Sequence, residues 1–182
     1  MLEKKWHSFI FWILVASTFH PYAIMYIIIP LLRFKPWTSN TWKMLGIFGL
    51  AGILLESMLG TILSITTMLG EEYSISSFTG AGVNPFRLAV VWAPTLLSLL
   101  AYKQLRQNTD ENANLIINLS MLNAEIMFVA LFGTANYFAR LANYFLIFQT
   151  IVLPYLFRYF NTNSKKILCI VTILCYLLYF YY

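Results

Sequence analysis

The sequence predicts an all-α integral membrane protein: a polytopic helical bundle of about five full spans with a broken or re-entrant helix pair at its N-terminus. Three observations predict it. Only 10% of the 182 residues are charged and 60% are hydrophobic, whereas a soluble domain carries about 25% charged residues; this chain has too little charge to cover a water-facing surface. Mean hydropathy is correspondingly high, at +0.70. The apolar residues form continuous runs, not the alternating segments of roughly ten residues that mark a membrane β-barrel. Finally, Lys and Arg gather in alternate loops, the bias that sets topology. No linker or composition shift divides the chain, so residues 1–182 read as a single transmembrane domain.

The first apolar stretch runs from Phe9 to Leu32, interrupted by His20-Pro21. As one helix it would be about 36 Å long, enough for a tilted span. As two arms turning at His20-Pro21 each would be about 18 Å, too short to cross alone. Pro21 disfavours helix at His20 and removes a donor, which permits the break. The polar loop Arg33 to Lys43 carries Trp37 and Trp42, both suited to an interfacial belt.

Met44 to Leu69 reads as one long span carrying Glu56. The Gly/Ser loop that follows, Gly70 to Pro85, holds Glu71 and Glu72. Phe86 to Tyr102 is the next span, with Pro94 as its expected kink. After the polar loop Lys103 to Asn112, the span Ala113 to Ala135 carries Asn118, Asn123 and Glu125. Then comes NYFARLANYF, Asn136 to Phe145. If helical, it places Asn136, Arg140 and Asn143 on one face and its aromatic residues on the others. A span with Gln149 and Pro154, Phe145 to Phe160, precedes the loop Asn161 to Lys166 and the last span, Ile167 to Tyr182.

Charge separates the two readings of the first stretch. With the loops 33–43, 103–112 and 161–166 in the cytoplasm and the first stretch turning back at His20, ten of the twelve Lys and Arg lie inside. Only Arg87 and Arg140 lie outside. A single crossing would move Lys4 and Lys5 outside and weaken the bias, so the positive-inside tendency favours the turn. The outer side then collects His20, Glu71, Glu72, Arg87, Arg140, Asn143 and Tyr144.

Each candidate has a functional and a plain reading. Arg140 has no acid within ten residues; its planar fork suits phosphate, near a membrane a lipid diphosphate, or the side chain snorkels to head groups. Arg87 assists it or merely flanks a span. His20 is a base available near neutral pH, or it bonds a carbonyl freed by the break. Glu56 and Glu125 face a partner or water inside the membrane, or belong to helix–helix hydrogen bonding. Cys169 and Cys175 show neither zinc spacing nor a disulfide framework. No phosphate-binding glycine loop, Ser/His/Asp order or metal-ligand spacing is present. The sequence thus calls for no metal and no cofactor, and its interfacial basic residues do not imply nucleic acid.

Two segments carry a family resemblance. ASTFHPYAIMYIIIPLL, Ala16 to Leu32, resembles the Phe-His segment of the EpsG family of bacterial membrane proteins. NYFARLANYFLIFQTIVLPYL, Asn136 to Leu156, resembles that family's later Arg-x-x-x-Tyr-Phe segment, and the order of the two also fits. The matched positions are His20, Arg140, Tyr144 and Phe145.

The resemblance implies a multi-pass protein of the bacterial plasma membrane that helps make extracellular or capsular polysaccharide. Its substrate would be an oligosaccharide on undecaprenyl diphosphate, polymerised at the outer face by glycosyl transfer. On that reading His20 and Arg140 are catalytic, and Arg87, Asn143 and Tyr144 bind substrate. The implied partners are the lipid-linked oligosaccharide, membrane lipids and other polysaccharide-assembly membrane proteins. A full family member has further spans before the Phe-His segment, so the likeness also implies a missing N-terminal half, or a truncated, inactive member. The alternative is a non-enzymatic transport or flippase component, with Glu56 and Glu125 lining a polar path.

Overall fold

The structure, a computed structural model, describes residues 6–70, 82–132 and 135–181, without the side chains of Glu56, Ala135, Asn136 and Phe180. Lys4, Lys5, Glu71 and Glu72 lie outside the described residues. All regular structure among those described is helical, as the sequence predicts.

The N-terminal stretch is a broken pair. Helix α1 spans Trp6–Phe19. His20 then takes an extended conformation, and Pro21–Leu32 forms a 3-10 helix. The two arms pack against each other. Arg33, just past the second arm, places its guanidinium 4.7 Å from the ring centroid of Trp6, near the start of the first. The chain therefore goes out and comes back, as the charge distribution favours. Twelve residues of 3-10 helix far exceed the usual three or four. Proline at both Pro21 and Pro30 and the β-branched run Ile27–Ile29 disfavour α-helix here. The arm is held from outside. The Asn118 amide donates to the carbonyls of Leu32, at 2.8 Å, and Phe34, at 2.7 Å.

Asn118 belongs to α6, Glu111–Val129, the central element. Asp110 caps it by accepting from the Ala113 N–H at 2.7 Å, and Glu111 in its first turn complements the helix dipole. Nearly every residue from Asn114 onward is buried. The 3-10 arm, α2 (Ser39–Ile53), α4 (Pro85–Leu100), α7 (Ala135–Asn143) and α8 (Leu146–Leu156) surround it. Helix α9, Thr162–Tyr181, lies at the periphery against α4, with Ile167, Ile170, Leu174 and Leu177 exposed.

Several expectations change. Met44 to Leu69 is not one straight span: α2 ends at Ile53, and past Leu54 the chain bends by 100° into α3, Leu55–Met68. Hydropathy registers the continuous apolar run but not the backbone turn within it. Helix α4 runs on through Pro94, and a bend of 72° falls at Ala101, before α5 (Tyr102–Asn108). Pro94 withholds a donor from Val90, and the adjoining Val91 carbonyl accepts from the Gln149 amide at 2.6 Å. A partner helix thus supplies a hydrogen bond where proline loosens the ladder. Trp37 is not a belt residue. It is buried, has a left-handed φ of 60°, and donates to Ser98 Oγ at 3.1 Å; Trp42 is exposed and stacks edge-on against it. Such backbone strain persists only where packing over-determines it.

The five-span count is not supported. Among the described residues α9 alone is long and apolar enough to cross a membrane unaided, and counting each of three bent pairs as one span gives at most four. Helix α6 falls outside that set although it is the most buried, because Asn114, Asn118, Asn123 and Glu125 lower its hydropathy.

The contacts define two ends. Arg33 pairs with Glu111 at 3.3 Å, and Lys35 donates to the Arg106 carbonyl at 3.2 Å. These join the basic loops at the end where α1 begins. At the other end Val83 donates to the Ala130 carbonyl at 3.1 Å, and a Cβ on Gly82 would lie 3.0 Å from the Leu131 carbonyl oxygen. Gly82 thus serves a close backbone approach.

Asn118→Leu keeps the volume but leaves the Leu32 and Phe34 carbonyls without their donor. Unfolding in detergent should show a loss of about 1–3 kcal/mol; an unchanged midpoint would mean that apolar packing alone holds the arm. In a protein with Cys169 and Cys175 changed to serine, Asn143→Cys should react with an impermeant thiol reagent on intact cells. Ser8→Cys should react only after lysis; its labelling on intact cells would contradict the returning arm.

Candidate functional site

The break in the N-terminal pair and the end of α7 meet. Nε2 of His20 is hydrogen-bonded to the Tyr144 hydroxyl, joining positions 124 apart in the chain. The two rings lie 5.6 Å apart. His20 is placed by its extended backbone: Ala23 donates to its carbonyl at 2.8 Å, so the imidazole sits at the turn between the arms. Tyr144 is placed by the tight turn ending α7, where its N–H bonds to the Leu141 carbonyl at 3.3 Å. Its own carbonyl accepts from the Tyr26 hydroxyl at 3.0 Å. The 3-10 arm thus grips the Tyr144 segment through both His20 and Tyr26.

Around this pair stands an aromatic cluster. Tyr22 lies 6.4 Å from both Tyr144 and Tyr137, and Tyr26 lies 5.6 Å edge-on from the buried Phe145. Helix α7 divides sharply. Tyr137, Phe138, Ala139 and Ala142 are buried, whereas Arg140 and Asn143 are exposed. The side chain of Asn136, expected on the same polar face, lies outside the described part. Arg140 precedes Tyr144 by four residues, about one helical turn. It makes no hydrogen bond or ion pair among the described residues.

Four of the five sequence candidates thereby converge: His20 and Tyr144 in contact, Arg140 one turn away and Asn143 beside them at the end of α7. Arg87 is not drawn into the cluster. Its Nη2 donates to the Tyr179 hydroxyl at 3.3 Å, and its guanidinium lies 5.0 Å from that ring's centroid. These contacts join α4 to α9 and engage the arginine structurally. Sequence reasoning missed Tyr22, Tyr26 and Tyr137. Their signal was the aromatic content flanking His20 and Arg140, which in an apolar run resembles ordinary packing.

The intramembrane acids separate. Glu125 is 2% exposed, and its Oε1 has no hydrogen-bond partner among the described residues. The helix–helix bonding expected of this polar stripe is instead made by Asn118. The side chain of Glu56 lies outside the described part.

A bundle whose central helix buries its polar residues while its peripheral helix exposes hydrocarbon is an integral membrane protein, here with a histidine–tyrosine pair and an exposed guanidinium at one end. The chain belongs to the EpsG family, which it matches over residues 1–182, its whole length. It is therefore a membrane protein of polysaccharide biosynthesis. No curated protein and no solved structure matches it.

Tyr144→Phe keeps the ring but removes the hydroxyl that occupies His20 Nε2. Stability should change by no more than about 1 kcal/mol, while His20 should react faster with diethyl pyrocarbonate, read by mass spectrometry at that residue. Equal rates in the two proteins would show that the hydroxyl does not shield the imidazole.

Proposed function

We propose that this protein polymerises polysaccharide at the outer face of the bacterial plasma membrane, transferring a glycosyl group from a lipid-linked oligosaccharide, carried on undecaprenyl diphosphate, to the hydroxyl of an acceptor sugar. The observation that carries the proposal is the pairing of His20 with Tyr144 one turn from the exposed Arg140. Glycosyl transfer of this kind needs a group to take the acceptor's proton and a cation to meet the departing diphosphate. Family membership supplies the setting in polysaccharide biosynthesis.

In this mechanism the acceptor oxygen attacks the anomeric carbon while the bond from that carbon to the diphosphate oxygen breaks. The diphosphate leaves with the electron pair. Arg140 stabilises its growing charge through two parallel N–H donors, a geometry that an arginine fork matches and a lysine does not. The acceptor's proton passes to His20, directly or through the Tyr144 hydroxyl. Tyr144 fixes the imidazole, and Asn143 orients a sugar or phosphate oxygen. Arg87 supports this end of the bundle through Tyr179, leaving the diphosphate to Arg140.

The test is polymer yield and chain length in cells expressing single variants at matched membrane levels. Arg140→Ala should lower polymerisation by about 10²–10³-fold, the cost of losing a donor to a developing anion. Arg140→Lys should recover only part of it, and His20→Gln should lose about 10²-fold or more. Unchanged polymer in both Arg140 variants would rule out the diphosphate role. Loss of polymer in Glu125→Gln with Arg140→Ala tolerated would instead favour transport along a path through α6.

A further inference from the structure

The site does not end at its polar face. An apolar cavity of about 330 Å³ lies between the 3-10 arm, α2, α3, α6 and α7, and no polar side chain lines it among the described residues. Its walls begin where the site stops. In a 3-10 helix residues three apart eclipse one another, so Tyr22, Met25 and Ile28 form one row; Tyr22 stands beside Tyr144, and Met25 and Ile28 line the cavity. On α7 and the turn that ends it a similar relation recurs. Phe138, Leu141 and Phe145 line the cavity, alternating in sequence with Arg140, Asn143 and Tyr144. Two separate stretches thus carry site residues and cavity-lining residues close together in sequence.

Such a cavity selects its occupant by chemistry. With no hydrogen-bonding side chain in its described lining, it favours hydrocarbon over water or sugar. Its volume falls at the lower end of the roughly 300–1,000 Å³ typical of ligand sites, and is about twice that of a cavity of about 150 Å³ known to hold benzene. It can therefore hold a short length of chain but not a whole long lipid. The neighbouring cation is the exposed Arg140, which makes no ion pair among the described residues, so an occupant that also reaches the site carries an anionic head.

We infer that this cavity holds the head-proximal part of the lipid carrier's hydrocarbon chain while Arg140 meets its diphosphate. The inference rests on the reading of Arg140 given above and adds a second recognition element to it. Chain burial anchors the carrier and sets the depth of its head group, so the anomeric carbon is presented at the height of His20 and Tyr144. Long-chain carriers are then distinguished from soluble sugar diphosphates by binding, before any chemistry.

The experiment uses purified full-length protein in detergent, with farnesyl diphosphate and inorganic diphosphate as probes. Ala51 on α2 and Met58 on α3 line the cavity from the walls that carry none of the proposed catalytic residues. Ala51→Trp and Met58→Trp should fill it. The wild-type protein should bind farnesyl diphosphate at least about tenfold more tightly than inorganic diphosphate, since each buried methylene contributes about 0.8 kcal/mol. Each tryptophan variant that keeps the wild-type melting transition should lose about tenfold in farnesyl diphosphate affinity and nothing for inorganic diphosphate.

Wild-type farnesyl diphosphate affinity in a folded variant with a filled cavity would overturn the inference; Met58, on the exposed side, is the substitution more readily accommodated. Equal competition by phosphatidic acid would overturn the assignment to the carrier and mark a general phospholipid site. Arg140→Ala should weaken both probes. If it weakens neither while the tryptophan variants still lose farnesyl diphosphate, the cavity assignment stands and the head-group role of Arg140 falls.

Discussion

The two hydrogen bonds from the Asn118 amide to the Leu32 and Phe34 carbonyls are the contact on which the functional end depends. A 3-10 helix of twelve residues has poorer internal geometry than an α-helix and no intrinsic reason to persist. In an apolar surrounding, its terminal carbonyls need a donor that water cannot supply. Asn118 supplies both from the most buried helix and so fixes where the arm ends. The other end of the arm then reaches Tyr144, and His20 stands at the turn. A polar residue at the centre of the bundle thereby positions a histidine at its rim.

The same economy recurs elsewhere. Gln149 serves the Val91 carbonyl beside the proline of α4, and its amide oxygen accepts from Tyr176 at 3.4 Å. Ser98 receives the indole of Trp37, whose backbone is held left-handed. Each of these side chains compensates an irregular backbone in a neighbouring element. They account for polar residues in apolar runs without requiring each one to be catalytic. Arg140 differs: it is exposed and has no such partner among the described residues, on a helix whose opposite face is buried. That contrast makes it the strongest candidate for meeting a ligand.

Much of this was legible in the sequence. Charge poverty fixed the helical membrane class, and the loop charges favoured an N-terminal pair that returns on itself, which the contact of Arg33 with Trp6 bears out. The polar face of NYFARLANYF placed Arg140 and Asn143 together, and both are exposed on α7. Other features were illegible for physical reasons. The bend at Leu54 lies inside an uninterrupted apolar run, where hydropathy has no contrast to register. Pro94 drew attention to α4, but nothing in the sequence marked the 72° bend at Ala101 or the Gln149 amide that serves the Val91 carbonyl. Trp37 looked interfacial because composition cannot report that its indole has a buried acceptor.

What the sequence by itself determined was the solvent. So few charges and such long apolar runs permit only backbone that bonds to itself. The family followed from two short segments for the same reason, since local order is all a motif records. Only the tertiary structure decided that His20 touches Tyr144, that Tyr26 holds the same turn, and that Arg87 belongs to Tyr179. Those pairings join residues roughly ninety or more positions apart, and their choice depends on how helices pack around α6. Packing selects among many apolar surfaces of similar hydropathy by shape and by a few buried polar bonds, neither of which a linear pattern encodes.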